Sequence, residues 1–532
     1  MHSCQPSRSL SILPVLFPAL AILAVLALPA HSQDVLTYHN NNTREGLDSQ
    51  ETILTLTNVN SGTFGRLFTI PISGLVDAQP LYVSAVTVAG AVHNLLVVAS
   101  ENGFVYGFDA DTGTKLWQQS TLKSGETTSD NRGCGQVSPE IGITSTPVIT
   151  RPTGSNPVIY VVAMSKDASG DYHQRLHALD ATTGNELYKG PVDIAAKYPG
   201  TGDNSSGGNV IFDPAQYKER PGLLWVNGAV YLAFSSHCDD RPYTGWIMGY
   251  NGTTLAQTTV LNLTPNANEG AIWNSGAGMG ADNSGNIFVV EANGVFDGTV
   301  NAAGFPTQGD YGNAILRLST TKGLAVTDYF EMSNQESENG GDVDLGSGGG
   351  LLVSLNDKTG KTWNLIVAAG KDGNLYIVDR GKMGKYNSST NNIYQQLNGV
   401  LPGGIWSMPA YFQGKLYYAP VNSPMLAFEF KNAMLLPAPV AKTVHSFQYP
   451  GATPSVSANG TTNAIVWVAE NSSPAVLHAF NALNLQEIYN TNQAANARDQ
   501  FGNGNKFVTP TIAHGKVYVT STTGVGVFGL LP

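Results

Sequence analysis

The chain has 532 residues, and only 13% of them are Asp, Glu, Lys or Arg, about half the usual share in soluble proteins. With 42% hydrophobic residues it is not a charge-rich disordered chain, and it lacks the roughly 50% Ala, Glu, Lys, Leu and Arg of a coiled coil. The net charge of −11 is spread along the chain without a basic cluster, so no nucleic-acid partner is expected. The 59 Gly and 28 Pro, with plentiful Tyr, Phe, Val and Thr, indicate many short strands joined by turns.

Residues 1–32 have the pattern of a secretory signal. Arg8 is the only charged residue of this segment, an apolar stretch runs over 10–28, and A-H-S at 30–32 offers a cleavage site after Ala30 or Ser32. An uncleaved membrane anchor is the alternative. No later stretch reaches the ~20 apolar residues of a membrane span. We therefore expect a soluble mature protein outside the cytoplasm, in the periplasm or the medium.

Cleavage would leave two cysteines, Cys134 and Cys238. An even pair in an exported chain predicts a disulfide, with two separate buried thiols as the alternative. Two cysteines are too few for a Cys-based zinc site.

An internal repeat organises most of the chain. Residues 95–117 read LLVVASENGFVYGFDADTGTKLW: an apolar strand, a polar turn, an alternating strand, then D-x-x-T-G and an aromatic residue. Eight copies of the strand–turn–strand core begin near residues 95, 158, 230, 287, 365, 416, 465 and 517. Each has an upstream partner, a short strand of small residues or proline such as STPVITR at 145. The repeated unit therefore has four strands.

This four-stranded repeat, without a β-α-β pattern, predicts an all-β fold: an eight-bladed β-propeller of antiparallel blades. The last copy ends at Pro532 after its third strand, and GRLFTIPISG at 65–74 resembles the missing fourth strand. This N-terminal strand would complete the last blade and close the ring, which removes exposed sheet edges. The predicted domains are a signal peptide at 1–32, a lead segment at 33–64 and the propeller at 65–532.

We interpret the turn motif of the repeat as a structural element rather than a functional site. In its first copy it comprises Gly107, Asp109, Thr112, Gly113 and Trp117. Asp followed by Thr-Gly makes a tight turn in which Gly takes a positive φ. The terminal aromatic residue is expected to pack against the neighbouring blade.

This motif and the eight-fold count resemble the quinoprotein (pyrroloquinoline quinone, PQQ) dehydrogenase-like propellers. The likeness covers nearly all of the mature chain, and residues 36–59 are similar to the segment before the first blade of that family. Non-enzymatic bacterial scaffold propellers share the motif, so the resemblance implies the fold and leaves the activity open.

Long connections fall on one face of the predicted ring. Loops between the second and third strands and connections between blades share this face, and the turns on the other face are short. The long segments are 119–144, 189–219, 235–245, 258–274, 293–312, 331–346 and 380–405. Binding residues concentrate in such loops, and the dehydrogenases carry their quinone on this face. We call it the loop-rich face.

The resemblance implies two chemically active positions. Lys371, in GKDGNLYIVDR, matches the cation that approaches the quinone carbonyls, where it could stabilise a reduced quinone. Asp344, in DVDLGSG, lies where the family's catalytic base is expected, and Asp342 is the alternative register. The structural alternative is a solvated turn for Lys371 and a polar loop for Asp342 and Asp344.

Three further residues complete the implied cofactor site. Asn293, in E-A-N-G, resembles the calcium-ligating Asn, and Trp273 or Trp406 could form an aromatic floor for the quinone. The structural alternative is a turn for Asn293 and packing between blades for the two tryptophans. The family's vicinal cysteine pair has no counterpart, and Glu140 lies on the right face but in a different kind of segment from the calcium-ligating Glu.

The sequence therefore favours an exported quinoprotein-like propeller that acts as a binding or interaction scaffold. Its partner at the loop-rich face would be a protein, a saccharide or a small molecule. The first alternative is a PQQ-dependent alcohol or sugar dehydrogenase, with PQQ and calcium as its cofactors. The second is a polysaccharide hydrolase or lyase that uses carboxylates of the same face.

Overall fold

The computed structural model describes residues 1–3 and 34–532, so the predicted signal lies almost wholly outside the described residues. The described chain consists mainly of antiparallel β-sheets, with one α-helix, Gln335–Gly340, and short 3-10 turns at Asn274–Gly276, Leu345–Ser347, Thr491–Gln493 and Ala495–Ala497. The all-β class agrees with the prediction. No helix of the described part is long and apolar enough to cross a membrane.

Eight sheets of the described part each contain four main strands, and we number them along the chain. Sheet 1 contains Leu81–Val88, Ala91–Ser100, Phe104–Asp109 and Lys115–Ser120. Sheet 2 contains Val148–Thr150, Val158–Lys166, Tyr172–Asp180 and Val192–Asp193. Sheet 3 contains Leu224–Val226, Ala229–Ala233, Trp246–Asn251 and Gln257–Asn262. Sheet 4 contains Gly280–Ala281, Ile287–Val290, Ile315–Ser319 and Ala325–Phe330.

The remaining sheets follow the same order. Sheet 5 contains Leu351–Asn356, Thr362–Ala368, Leu375–Asp379 and Gln395–Leu397. Sheet 6 contains Ala410–Phe412, Lys415–Tyr418, Ser423–Lys431 and Ala441–Phe447, with Met434–Leu435 as an extra strand. Sheet 7 contains Ser455–Asn459, Thr462–Glu470, Val476–Asn481 and Glu487–Asn490, with Leu47–Asp48 parallel to its first strand. Sheet 8 contains Thr511–Ala513, Lys516–Ser521, Gly524–Leu530 and the N-terminal Phe64–Pro71.

Short strand pairs decorate the connections between the sheets. Thr127–Asp130 and Glu140–Ile141 extend sheet 2, and Tyr217–Lys218 pairs with Ser235–Ser236. Lys197–Pro199, Ser205–Ser206 and Asn209–Ile211 form a small three-stranded sheet. These elements lie in the segments that the sequence marked as long loops.

The first strand of the repeat region joins the last sheet. Phe64–Pro71 pairs antiparallel with Gly524–Leu530, from Phe64 opposite Leu530 to Pro71 opposite Gly524. The predicted strand, 65–74, is thus correct in place but three residues too long at its C-terminal end, because the chain bends after Pro71 into the turn that contains Gly74 with φ +79°.

Neighbouring sheets pack through apolar side chains and a recurring hydrogen bond. A tyrosine hydroxyl from the second strand of one sheet donates to the carbonyl of the third–fourth strand turn of the next: Tyr160 to Gly252 at 2.7 Å, and Tyr417 to Ala482 at 2.8 Å. Tyr518 of sheet 8 makes this bond to Ala110 of sheet 1 at 3.1 Å. The repeat therefore sets contacts between sheets as well as strands within them.

The turn motif is structural, as predicted. Asp109 Oδ1 accepts the backbone N–H groups of Asp111 and Thr112, and Gly113 takes φ +74°. The Trp117 indole donates to the carbonyl of Ala181 in sheet 2 at 2.9 Å. Its ring lies directly over Gly107, where a Cβ would overlap it.

Gly107→Ala should therefore destabilise the protein by ~1–3 kcal/mol, the usual cost of overpacking a core. Urea unfolding measures the change. The same alanine should cost at least about 1 kcal/mol less in a Trp117→Ala background, because the two side chains then no longer collide. Gly340→Ala is the control, since a Cβ there contacts nothing. Equal costs for Gly107→Ala in both backgrounds would contradict this packing.

Candidate functional site

A cavity opens on the loop-rich face, and we call it the loop-face cavity. It contains about 390 Å³ of empty space, including its opening to solvent. Its lining residues are Gln136, Arg220, Asp239, Trp273, Ser275, Asp344, Ser347, Lys371, Trp406, Tyr449 and Phe507. All of them come from connections between sheets or from loops between second and third strands. Connections of these two kinds form the loop-rich face, and Gln136, Asp239, Trp273 and Asp344 lie within the long segments that the sequence marked.

Four of the predicted site residues converge on this cavity: Asp344, Lys371, Trp273 and Trp406. Two larger hollows of the described chain, of about 780 and 980 Å³, contain none of them in their linings. The four residues are spread over more than 130 positions of the sequence. Their convergence makes the loop-face cavity the candidate site.

Lys371 forms an ion pair in the wall of the cavity. Its Nζ lies 2.6 Å from Asp344 Oδ2 and 2.8 Å from Asp342 Oδ1. Asp344 is buried, with 8% of its side chain exposed, whereas the Asp342 side chain is 70% exposed. Asp344 is therefore the carboxylate of the two that faces the cavity from within the protein.

The ion pair determines the charge of both groups. Burial raises the pKa of Asp344, and the Lys371 ammonium and the Asn293 N–H oppose that rise. Burial lowers the pKa of Lys371, but the carboxylates of Asp344 and Asp342 outweigh it, so the pKa lies above its usual value. Lys371 is thus a cation at neutral pH and favours the ionised form of Asp344.

Asn293 lies behind this pair. Its N–H donates to Asp344 Oδ1 at 2.8 Å, and its Nδ2 donates to Asp342 Oδ1 at 3.1 Å. Its buried Oδ1 accepts no hydrogen bond from the described residues. Asn293 therefore orients Asp344 and leaves one amide oxygen for a further contact.

Aromatic rings form much of the cavity wall. Trp406 and Tyr449 meet edge to face, with 5.7 Å between ring centroids. The Arg220 guanidinium lies 4.4 Å from the centroid of the Phe507 ring, and Lys218 Nζ lies 5.8 Å from that of Trp273. Two cation–ring contacts thus lie in or next to the cavity wall.

Sequence reasoning missed Arg220, which belongs to a buried run of three charged residues, Lys218-Glu219-Arg220. Burial, with the neighbouring Arg220 charge, lowers the pKa of Lys218 to about 7, and burial raises the pKa of Glu219. No described residue hydrogen-bonds Lys218 Nζ or Arg220 Nη1. A run of three charges in a chain with 13% charged residues was the signal that could have identified it.

The predicted disulfide is present beside the cavity. Cys134 and Cys238 are bonded, with 5.5 Å between their Cα atoms. Gln136 and Asp239, close to the two cysteines in sequence, line the cavity. Burial raises the pKa of Asp239, which accepts the Tyr243 hydroxyl at 2.9 Å. The bridge therefore joins two loops that form the wall.

A second buried ion pair anchors the connection that carries Cys134. Arg175 Nη1 and Nη2 donate to the two carboxylate oxygens of Glu126 at 2.8 and 2.7 Å, a bidentate geometry. Burial raises the pKa of Glu126, but hydrogen bonds from Arg175, the Lys123 N–H and Ser165 lower it to about 2. The ionised carboxylate is thus strongly favoured in the folded state.

This pair predicts a loss of stability in acid. The pKa of Glu126 is about 2 in the folded protein and 4.5 in the unfolded chain. As the pH falls, the unfolded chain therefore binds the proton before the folded protein does. The stabilisation, ~3 kcal/mol, is complete above the unfolded pKa and is lost as the pH falls towards 2; about 2 kcal/mol is gone by pH 3. Urea unfolding measures the difference in free energy of unfolding between the wild type and Glu126→Gln. This difference should be about 2 kcal/mol smaller at pH 3 than at pH 6. A gap that stays constant would contradict the assignment, and exposed Glu336→Gln is the control.

The chain is similar in structure to known dehydrogenases. No protein-family model matches the chain, and no curated protein sequence matches it. A quinohemoprotein alcohol dehydrogenase from Pseudomonas putida HK5 is 12% identical over 94% of this chain and 80% of that one, with a TM-score of 0.61. The enzyme of the same class from Comamonas testosteroni is 14% identical over 93% and 80%, with a TM-score of 0.59.

A europium-containing methanol dehydrogenase is 13% identical over 94% of this chain and 98% of that chain, with a TM-score of 0.63. Identities this low show a common fold alone. The chain thus shares the β-propeller fold of these dehydrogenases, in agreement with the resemblance that its repeat carries.

Proposed function

We propose that the loop-face cavity binds a flat, negatively charged small molecule. The observation that carries this proposal is the buried Arg220, whose Nη1 has no acceptor among the described residues, together with aromatic rings and the ion-paired Lys371 in one cavity wall. Aromatic rings favour a planar ligand, and cations in a partly buried wall favour an anionic one. Of the partners expected from the sequence for a binding scaffold, we thus propose a small molecule.

The buried charges behind the wall support an anionic ligand. A buried donor without an acceptor is costly, and Arg220 Nη1 and Lys218 Nζ lack a hydrogen-bond partner among the described residues, although the carboxylates of Asp77 and Glu101 attract both cations. A ligand carboxylate at Arg220 would supply the missing acceptor. It would also offset the repulsion between Arg220 and Lys218 that helps to lower the pKa of Lys218.

A PQQ-dependent alcohol or sugar dehydrogenase is the second candidate, and the contact between Lys371 and Asp344 favours it. PQQ is a flat tricarboxylate, so Lys371, Arg220 and the Trp273 ring have suitable chemistry to hold it. When bound, a quinone supplies the two-electron acceptor for an alcohol. Asp344 would take the proton of the substrate hydroxyl, and Lys371 would keep Asp344 ionised for that role.

The residues do not fit a calcium ion. Calcium takes six to eight oxygen ligands, whereas both oxygens of Asp344 already accept from Asn293 N–H and Lys371. Asn293 Oδ1 is an available oxygen, but the Lys371 ammonium occupies the neighbouring side of the carboxylate. We therefore assign Asn293 the role of orienting Asp344, in place of the metal ligation that the resemblance implied.

Other functions stay predictions. A protein or saccharide partner at the loop-rich face is compatible with the same fold, and affinity capture with the mature protein as bait tests it. A polysaccharide hydrolase or lyase needs two carboxyl groups at the substrate. Two line the cavity, Asp239 and Asp344, and Asp344 is paired with Lys371.

The proposed site needs a rigid ring, and we infer that the eight sheets are the blades of a closed propeller over 65–532, preceded by a lead segment at 33–64. The bond from Tyr518 in sheet 8 to Ala110 in sheet 1 supports closure, because it repeats the bond between consecutive sheets. We also place the mature protein outside the cytoplasm after removal of 1–32. The disulfide supports this location.

Equilibrium dialysis tests the proposed function. PQQ should bind the mature protein at tens of micromolar or tighter, whereas menadione, an uncharged planar quinone, should bind at least tenfold more weakly. Failure of PQQ to bind, or equal binding of both quinones, would contradict the proposal. Dye-linked oxidation of alcohols and sugars by the PQQ-loaded protein then separates the candidates, since a binding protein shows none.

A further inference from the structure

A cluster of two histidines and a glutamate lies between sheets 6 and 7. His445 comes from the fourth strand of sheet 6, and Glu470 and His478 come from the second and third strands of sheet 7. The Glu470 and His478 side chains are buried, whereas 39% of the His445 side chain is exposed. The cluster therefore lies below the surface with one side near solvent.

The spacing of the three groups suits a small metal ion. Glu470 Oε2 lies 3.0 Å from His445 Nε2 and 3.4 Å from His478 Nε2, and one atom from each residue lies within 4.8 Å of the others. Ligands at zinc distances of about 2.0–2.1 Å in a tetrahedron are about 3.3 Å apart. The described side chains thus already approach the separations that a shared ion requires.

A fourth residue orients one of the histidines. His478 Nδ1 lies 2.7 Å from Glu487 Oε1, and Glu487 also accepts Asn490 Nδ2 at 2.9 Å. A metal-bound histidine commonly donates its other ring N–H to a carboxylate, which fixes its tautomer. His478 thus presents Nε2 towards Glu470 Oε2 at 3.4 Å, so both atoms face the space in which an ion would be bound.

The surrounding rings hold this arrangement. The His445 and His478 rings stack with 4.8 Å between centroids, and His478 also stacks on Phe480 at 5.8 Å. A single divalent cation would balance the charges of the two carboxylates, Glu470 and Glu487.

We propose that His445, Glu470 and His478 bind one divalent transition-metal ion of the zinc class, with Glu487 as a positioning residue. Imidazole nitrogens with one carboxylate favour Zn²⁺, Cu²⁺ or Ni²⁺ over Ca²⁺ or Mg²⁺. Three protein ligands leave a fourth position for solvent on the exposed side of His445. The ion would join sheet 6 to sheet 7.

Zinc titration of the untagged, chelator-treated mature protein tests the site. Competition with a chromophoric chelator should give one Zn²⁺ per chain with micromolar or tighter affinity, and Co²⁺ should produce the visible absorption of a four-coordinate ion. His445→Ala should reduce affinity at least 100-fold without disturbing a buried ring. His173→Ala is the matched control, because His173 is a partly exposed histidine that contacts Asp167 elsewhere.

Glu487→Gln tests the positioning role. Substitution of a residue that only orients a ligand should lower the Zn²⁺ affinity 10- to 100-fold, while the stoichiometry stays at one ion per chain. Absence of stoichiometric binding, or binding that survives in His445→Ala, would overturn the proposal. A thermal midpoint that changes with pH but not with added Zn²⁺ would also overturn it, because the cluster would then be a set of ion pairs.

Discussion

Replacement of both cysteines by alanine should lower the free energy of unfolding by about 4 kcal/mol. Cys134 and Cys238 are 104 positions apart, and a bridge across a loop of that length restricts the unfolded chain by ~4–5 kcal/mol in the chain-entropy account. Urea unfolding of the wild type and the double variant measures the loss. The variant should also bind PQQ more weakly, because Gln136 and Asp239 lie beside the two cysteines.

Reduction of the wild type supplies the control, since it should reproduce the stability of the double variant. Thiol titration of the denatured, unreduced protein should find no reactive thiol in the mature chain. Two titratable thiols, or a double variant as stable as the wild type, would contradict the bridge.

Lys371→Met should reduce PQQ affinity at least tenfold and lower stability by ~2–4 kcal/mol. The variant removes a ligand-facing cation and leaves Asp344, with 8% of its side chain exposed, without its ionic partner. Isothermal titration calorimetry measures the affinity, and urea unfolding measures the stability.

A second substitution separates these two effects. Lys371→Met/Asp344→Asn should regain most of the lost stability, because no buried charge remains unpaired, while PQQ binding stays weak. Lys358→Met is the control, since Lys358 is an exposed lysine in a turn of sheet 5. Full PQQ affinity in the double variant would show that Lys371 does not contact the ligand.

Much of the fold was predictable because its signals are local. Alternation of apolar residues marks each strand, and the D-x-x-T-G turn places Asp109 and Gly113 within five positions of one another. The N-terminal strand at 64–71 was also predictable, because the last repeat visibly lacks one strand. Its end was misplaced because the pairing with the last strand ends at Pro71, opposite Gly524, and this register is not visible in the sequence.

The site was predictable only in part, because it is assembled from distant connections. The family resemblance pointed to Asp344, Lys371, Trp273 and Trp406, which line one cavity, but their roles remain predictions. Arg220 was missed because the sequence shows a run of three charged residues but does not show that this run is buried.

The histidine cluster was missed because it, too, is assembled from distant parts of the chain. His445, Glu470 and His478 come from two sheets, and their spacing matches no local metal-binding motif. Tertiary convergence, rather than residue type, creates both sites.

Tryptophan fluorescence during a PQQ titration tests the central claim most directly, because Trp273 and Trp406 line the cavity. We predict saturable quenching in the wild type and a loss of most of its amplitude in Trp273→Phe/Trp406→Phe. Absence of quenching, or the same amplitude in both proteins, would show that the loop-face cavity does not bind this flat anion.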